Sequence, residues 1–355
     1  LNIKGLEKQN MPQKCPLTCH RLGSHVMLPV LVLALALQRS PADCSRRALL
    51  RRAATAGLAN AAALSGGPAR AIVNGDSVSD AEAAATGSVG LWIDLSGCSV
   101  CRKDKPATCS GTLVAPTLVL SARHCLDTPR MLNGTLERVV FGSDMFGAGA
   151  SRDVVAVKST SDYGIETAGN DLLLLKLSSP APKEWRVVEL PLGLLPSKEE
   201  QEEARRKGSP FYPDGLGFPS LATYGYGQQS TKGTTDPAAY SAGQLRRLGV
   251  SVQTEIRPWA AGFLTKPVDR NTGTCAGDSG GGVLAFVQDP KGRGIRQFLV
   301  GVQAVTTRRI AVASLPCEDN QQVFVNPAAF SEFLLQASRD LGSPLQPTIN
   351  WREYS

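Results

Sequence analysis

The sequence predicts an all-β fold, a barrel or sandwich closed off by a single C-terminal helix. Three observations carry this expectation. The 355-residue chain holds 35 Gly and 23 Pro, a load that favours tight turns over long helices. Its Val, Ile and Leu fall in short runs punctuated by Gly, Pro, Asn and Ser. Only two stretches carry a helical pattern, and no internal repeat is visible.

In chain order, strands are expected at 88–95, 111–114, 118–121, 138–141, 153–159, 171–177, 222–226, 282–287 and 298–305. The charged run 198–207 (KEEQEEARRK) reads as a solvated helical insertion. The amphipathic stretch 328–341 reads as the C-terminal helix, with residues 343–355 left as a tail.

Residues 1–71 form a separate leader. Ten of the 38 Lys+Arg and two of the 31 Asp+Glu lie there, which leaves 28 basic and 29 acidic residues in the body. The net charge of +7 therefore belongs to the leader, and the body carries no electrostatic footprint for nucleic acid. Residues 27–37 (MLPVLVLALAL) are too short an apolar run to span a bilayer and suit a signal-peptide core. A twin-arginine pattern follows at Arg46-Arg47, then a weakly apolar Ala-rich stretch, then the A-x-A cleavage site Ala69-Arg70-Ala71. Two addresses in tandem resemble the multipart leaders of thylakoid-lumen proteins, with a secreted or periplasmic destination as the alternative. The body, residues 72–342, is expected to be a monomer with no membrane anchor once the leader is removed.

The body holds Cys98, Cys101, Cys109, Cys125, Cys275 and Cys317, an even number that favours disulfides in an exported protein. Cys98 and Cys101 form a C-x-x-C, open to a local disulfide, two free thiols or half of a zinc site. His124 is the only histidine of the body, so a metal site would compete with any other histidine chemistry. No metal and no cofactor are expected.

Three motifs carry candidate chemistry. Thr274–Gly282 (TCAGDSGGG) surrounds Ser279 with glycines, which lets backbone N–H groups converge on one point; the bland reading is a Gly-rich turn. The G-x-S-x-G elbow of α/β-hydrolases also fits, but those enzymes place their histidine after the serine, and none follows Ser279. His124 lies just past the apolar run 118–121. Asp171 stands at the mouth of another, DLLLLKL, where a carboxylate is costly unless paired or hydrogen-bonded.

The order His124, Asp171, Ser279 is that of the chymotrypsin triad. Together with Ile72-Val73-Asn74-Gly75, the block Cys109–Cys125 (CSGTLV…SARHC), NDLLLLKL and TCAGDSGGG, it resembles the signature blocks of the chymotrypsin-like (trypsin family) serine proteases. The resemblance covers about residues 72–341. It implies two six-stranded β-barrels with a cleft between them and a protein or peptide substrate. It also implies Ser279 as nucleophile, His124 as general base, Asp171 as the orienting carboxylate, and the N–H groups of Gly277 and Ser279 as the oxyanion hole. By the same resemblance Cys109 pairs with Cys125 and Cys275 with Cys317. A freed Ile72 ammonium is expected to pair with Asp278, so cleavage after Ala71 would both remove the leader and activate the enzyme.

Several positions depart from the family pattern. Arg123 precedes the histidine where Ala is usual, Ala304 stands where a serine supports the buried Asp, and Val305 and Thr306 replace an aromatic and a glycine. The specificity pocket is assigned to Gly273, Thr306 and Gln322. Gly273 at its floor argues against Arg or Lys preference and leaves small or medium apolar side chains as the expectation. The rival reading is a catalytically silent homologue acting as a binding module.

Overall fold

The computed structural model describes residues 72–99, 101, 107–165, 169–207, 221–228, 242–254, 256–288, 295–306, 317 and 321–348. The leader, its two addresses and residues 349–355 lie outside these.

The first barrel closes from six antiparallel strands in the order β2-β3-β4-β7-β6-β5. They are β2 (Ser88–Asp94), β3 (Ala107–Ala115), β4 (Leu118–Ser121), β5 (Thr135–Phe141), β6 (Ala150–Ser159) and β7 (Leu173–Leu177). Leu91, Leu113, Leu118, Leu120, Val139, Leu173 and Leu175 are fully buried in its core. β7 is buried nearly throughout, which explains why its sequence is a continuous apolar run.

The second barrel comprises β8 (Leu221–Gly225), β9 (Arg246–Val252), β10 (Gly262–Pro267), β11 (Gly282–Gln288), β12 (Ile295–Thr306) and β13 (Gln322–Val325). The β8–β9 pairing closes it. A two-residue strand, β1 (Asp76–Ser77), pairs with the start of β9. Ile72, Leu248, Val250, Phe263, Val283 and Phe324 share this barrel's core. The all-β expectation of two six-stranded barrels holds.

Three strands of the second barrel, β9, β10 and β13, escaped the sequence reading. β9 opens on Arg246-Arg247, β10 is framed by Gly262 and Pro267, and β13 has only four residues. Their half-polar character comes from pairing on a barrel wall, which no local pattern reports.

Four α-helices are present among the described residues rather than two. α1 (Asp80–Thr86) starts at Ser79, whose hydroxyl accepts from Glu82 N–H at 3.2 Å, and stops at Gly87 in the left-handed region. α2 (His124–Met131) contains Pro129, which hid it. α3 (Lys198–Lys207) is the expected charged helix. The expected C-terminal helix is split into a 3-10 turn (Pro327–Phe330) and α4 (Ser331–Asp340). α4 buries Phe333, Leu334 and Ala337, and Tyr163 of the first barrel meets Phe333 edge-on at 5.2 Å. Residues 343–348 are not a loose tail: Thr348 N–H donates to Leu192 C=O at 2.8 Å, and Ser343 bonds Thr117 at 2.8 Å.

Among the described residues three disulfides are formed, Cys98–Cys101, Cys109–Cys125 and Cys275–Cys317. The last two are the expected pairs, and the first resolves the C-x-x-C. Cys109–Cys125 ties β3 to α2 across a sequence separation of 16. Closing a loop of that size restricts the unfolded chain, so the double substitution Cys109→Ala, Cys125→Ala is expected to lower stability by about 3 kcal/mol in urea denaturation.

Candidate active site

The register of β4 against β7 brings the first two candidate residues together. The strands are antiparallel with Ser121 opposite Leu173, so residues after 121 and residues before 173 emerge at the same end of the barrel. His124 opens α2 there, and Asp171 stands two residues before β7. The carboxylate accepts from His124 twice, backbone N–H to Oδ1 at 2.9 Å and ring Nδ1 to Oδ2 at 2.7 Å. Two bonds to one residue fix the ring's orientation and place the proton on Nδ1, leaving Nε2 as the free, basic nitrogen. Arg123 N–H donates to Asp171 C=O at 3.3 Å, while its guanidinium turns away to Asp127 at 3.2 Å. The unusual arginine therefore does not pair with the carboxylate that holds the imidazole. Ala304 is buried and offers no hydroxyl, so among the described residues His124 alone donates to the Asp171 carboxylate.

Ser279 sits in the turn that enters β11. Asp278 N–H donates to Cys275 C=O at 3.1 Å and Gly281 N–H to Asp278 C=O at 2.9 Å. Gly277 and Gly280 hold positive φ of 97° and 81°. A Cβ on Gly280 would stand 2.0 Å from Ser121 Oγ and 2.3 Å from Ser110 C=O, so only glycine lets this turn press against β3 and β4. The contact places Ser279 at the His124 end of the first barrel. Ser110 N–H donates to Ser279 C=O at 2.8 Å, and the Cys125 sulfur lies 3.7 Å from the same oxygen. No hydrogen bond joins the Ser279 hydroxyl to the imidazole among the described residues. The N–H groups of Gly277 and Ser279 have no acceptor among the described residues, whereas those of Asp278, Gly280 and Gly281 do.

Asp278 is fully buried. Its carboxylate accepts from Gly227 N–H at 2.8 Å and Cys275 N–H at 2.7 Å, yet burial outweighs both and pushes its carboxyl up to about 7. Ile72 is also fully buried, in the second barrel's core, and Val73 pairs with Gly273 through N–H to C=O bonds of 2.9 and 3.3 Å. No hydrogen bond joins Ile72 to Asp278 in this chain, where residue 72 is still in peptide linkage.

Of the specificity positions, Gly273 is buried in that bridge, and Thr306 ends β12 opposite Gln322 on β13. Gln322 is fully buried; its Oε1 accepts from Thr265 Oγ1 at 3.3 Å, and its Nε2 has no partner among the described residues. Thr274 Oγ1, beside Gly273, is likewise buried without a partner among the described residues. A cavity of about 250 Å³, lined in part by Val114, Val188, Leu190, Leu192 and Leu345, lies where the C-terminal segment crosses the first barrel and includes none of these groups.

Two residues that matter to this arrangement were not singled out from sequence. Ser110 and Ser121 stand in the cysteine-histidine block, and both are fully or almost fully buried. Ser121 Oγ donates to Ser110 C=O at 2.7 Å, and Ser110 Oγ donates to Gly277 C=O at 2.9 Å. For Ser121 the only sequence signal was a hydroxyl at the end of an apolar strand, and for Ser110, on a strand that also carries Thr108 and Thr112, there was none.

Residues 96–313 match the family model named Trypsin. The chain belongs to the trypsin family. Among its relatives, the thrombin-like enzyme saxthrombin of Gloydius intermedius is 27% identical over 198 residues, 53% of this chain and 70% of that protein. Human heparin binding protein superposes with a TM-score of 0.51 at 17% identity, over 78% of this chain and 100% of that one, which supports the fold. A collagenase structure gives a TM-score of 0.49 at 18% identity, over 77% and 100%. The chain is thus a trypsin-family serine protease with the two-barrel fold of that family. Its three disulfides fit an oxidising compartment outside the cytosol.

The raised Asp278 carboxyl has a consequence for stability. Between about pH 4 and pH 7 the folded, uncleaved chain keeps a proton that the unfolded chain has released. Stability is therefore expected to fall as pH rises through that window. Urea denaturation of the wild type should show the decline, and Asp278→Asn should flatten it.

Proposed function

We propose that the chain is an active serine endopeptidase that cleaves peptide bonds through an acyl-enzyme on Ser279. The observation that carries this reading is the Asp171 carboxylate gripping both the backbone N–H and Nδ1 of His124, at the barrel end where the Ser279 backbone docks. With Nδ1 protonated, Nε2 takes the proton of the Ser279 hydroxyl as it attacks the scissile carbonyl, then returns it to the leaving amine. The negative oxygen of the tetrahedral intermediate is received by Gly277 and Ser279 N–H, whose lack of acceptors among the described residues supports this role. Water then repeats the cycle and releases the acid product. Ser279 Oγ has to reach Nε2 for the first transfer.

The primary pocket is built on Gly273, Thr306 and Gln322, none of which is an acid that could pair with an Arg or Lys side chain. Activity is regulated by the N-terminus: cleavage after Ala71 would free an Ile72 ammonium, which pairs with Asp278 and neutralises the buried carboxylate that the uncleaved chain leaves without a cation. The A-x-A site at Ala69-Arg70-Ala71 supports export processing as the activating step, and the tandem addresses support delivery to a lumen such as that of the thylakoid. The mature enzyme then acts as an unanchored monomer on protein or peptide substrates.

A fluorophosphonate reagent should label processed wild-type protein and leave Ser279→Ala unlabelled; unlabelled wild type would favour a silent homologue. His124→Ala is expected to lower kcat on a peptide substrate by about 10⁴ or more, read at saturating substrate. Sequencing of the mature N-terminus should begin at Ile72, and any other start removes the proposed link between export and activation.

A further inference from the structure

The glycine that gives the oxyanion loop its shape also makes it soft. Gly277 sits at φ 97° with no side chain to restrain it, so the direction of its N–H depends on how the two flanking peptide planes are held. The plane before it is held by Gln228 N–H, which donates to Ala276 C=O at 2.8 Å. Because the peptide is trans, that bond turns the Gly277 N–H the opposite way. The plane after it is held from the other barrel. Ser110 Oγ on β3 donates to Gly277 C=O at 2.9 Å and accepts from Tyr226 N–H, also at 2.9 Å.

We infer that the Ser110 hydroxyl is a positioning residue for the oxyanion loop, fixing the Gly277 peptide through a relay from Tyr226 N–H to Ser110 Oγ–H to Gly277 C=O. The proposal rests on the peptidase reading and concerns a group that touches no substrate. Ser110 is 1% exposed, so no water replaces the hydroxyl without rearrangement. Both polar groups it serves would lose this partner, and the plane carrying the Gly277 carbonyl would be held only from its other side, by Asp278 N–H on Cys275 C=O at 3.1 Å. A chain of donors in a buried seam is mutually strengthening, so losing the middle member weakens both ends. The adjacent Ser110 N–H, which bonds Ser279 C=O at 2.8 Å, is a backbone group and survives any side-chain change. The hydroxyl's effect is thereby separable from the docking of Ser279 itself.

The test compares wild type with Ser110→Ala, Ser110→Gly and Ser110→Thr in processed full-length protein, with rates expressed per active site titrated by a fluorophosphonate. Ala and Gly are expected to lower kcat about tenfold, a change of about 1.4 kcal/mol in the barrier, with KM within about twofold of wild type. Affinity for a peptidyl boronic acid, which presents a tetrahedral oxyanion, should fall by the same factor. Binding of a non-hydrolysed product peptide should not change. Thr, which keeps the hydroxyl, should recover most of the loss. Should Ser110→Ala fail to fold, Ser110→Gly supplies the same comparison. A kcat per titrated site within about twofold of wild type for Ala or Gly overturns the proposal. So does a loss shared equally by the boronic acid and the product peptide. A wild-type chain that neither turns over substrate nor labels overturns the peptidase reading instead.

Discussion

The arrangement at this site depends on one wall of the first barrel. β3 and β4 carry Ser110, Ser121 and, just beyond, His124, and the Ser279 turn is laid against that same wall. Ser110 N–H reaches the Ser279 carbonyl, and Gly280 sits where any side chain would collide with Ser121 and Ser110. The Cys109–Cys125 disulfide locks the wall to the helix that begins at His124. The imidazole and the serine are thus held by a common support, although they belong to different barrels. Tyr226 strengthens the seam: it is fully buried, and its hydroxyl donates to Gly142 C=O of the first barrel at 2.6 Å. Burial pushes that phenol far above its ordinary range, which keeps it a donor at any physiological pH.

Against this rigid seam stands a deliberately unfavourable group. Asp278 is a carboxyl with no exposure, satisfied by two backbone N–H groups and, among the described residues, no cation. A buried charge of this kind is strongly destabilising until it gains a partner, so the turn that carries Gly277 and Ser279 is energetically tied to whatever reaches Asp278. Val73, paired with Gly273 six residues ahead of Ser279, connects the N-terminal segment to that loop mechanically. The segment is further held by β1, where Asp76 meets Arg247 at 2.9 Å, a half-exposed pair of modest worth.

Legibility in the sequence followed how local the governing interaction was. The first-barrel strands were readable because apolar runs such as 118–121 and 173–177 are buried nearly throughout. β9, β10 and β13 were not, because their polar residues are accommodated by neighbours distant in sequence. α2 was hidden by Pro129, which is tolerated late in a helix held at its other end by a disulfide. Residues 343–348 read as a tail because nothing in SPLQPT announces that Ser343 finds a partner in Thr117 and Thr348 one in Leu192.

By itself the sequence determined the chemistry available: one body histidine, one serine among glycines, an acid at a strand mouth, and cysteines in even number. Those are properties of residue type and order, and order alone separated this chain from the α/β-hydrolases. Only the tertiary structure decided that Asp171 holds His124 by two bonds, that Arg123 turns aside to Asp127, and that Ser110 staples the glycine loop. Each of these is a distance between residues far apart in the chain or a choice among rotamers. The closing of two barrels sets such distances, and no local pattern encodes them.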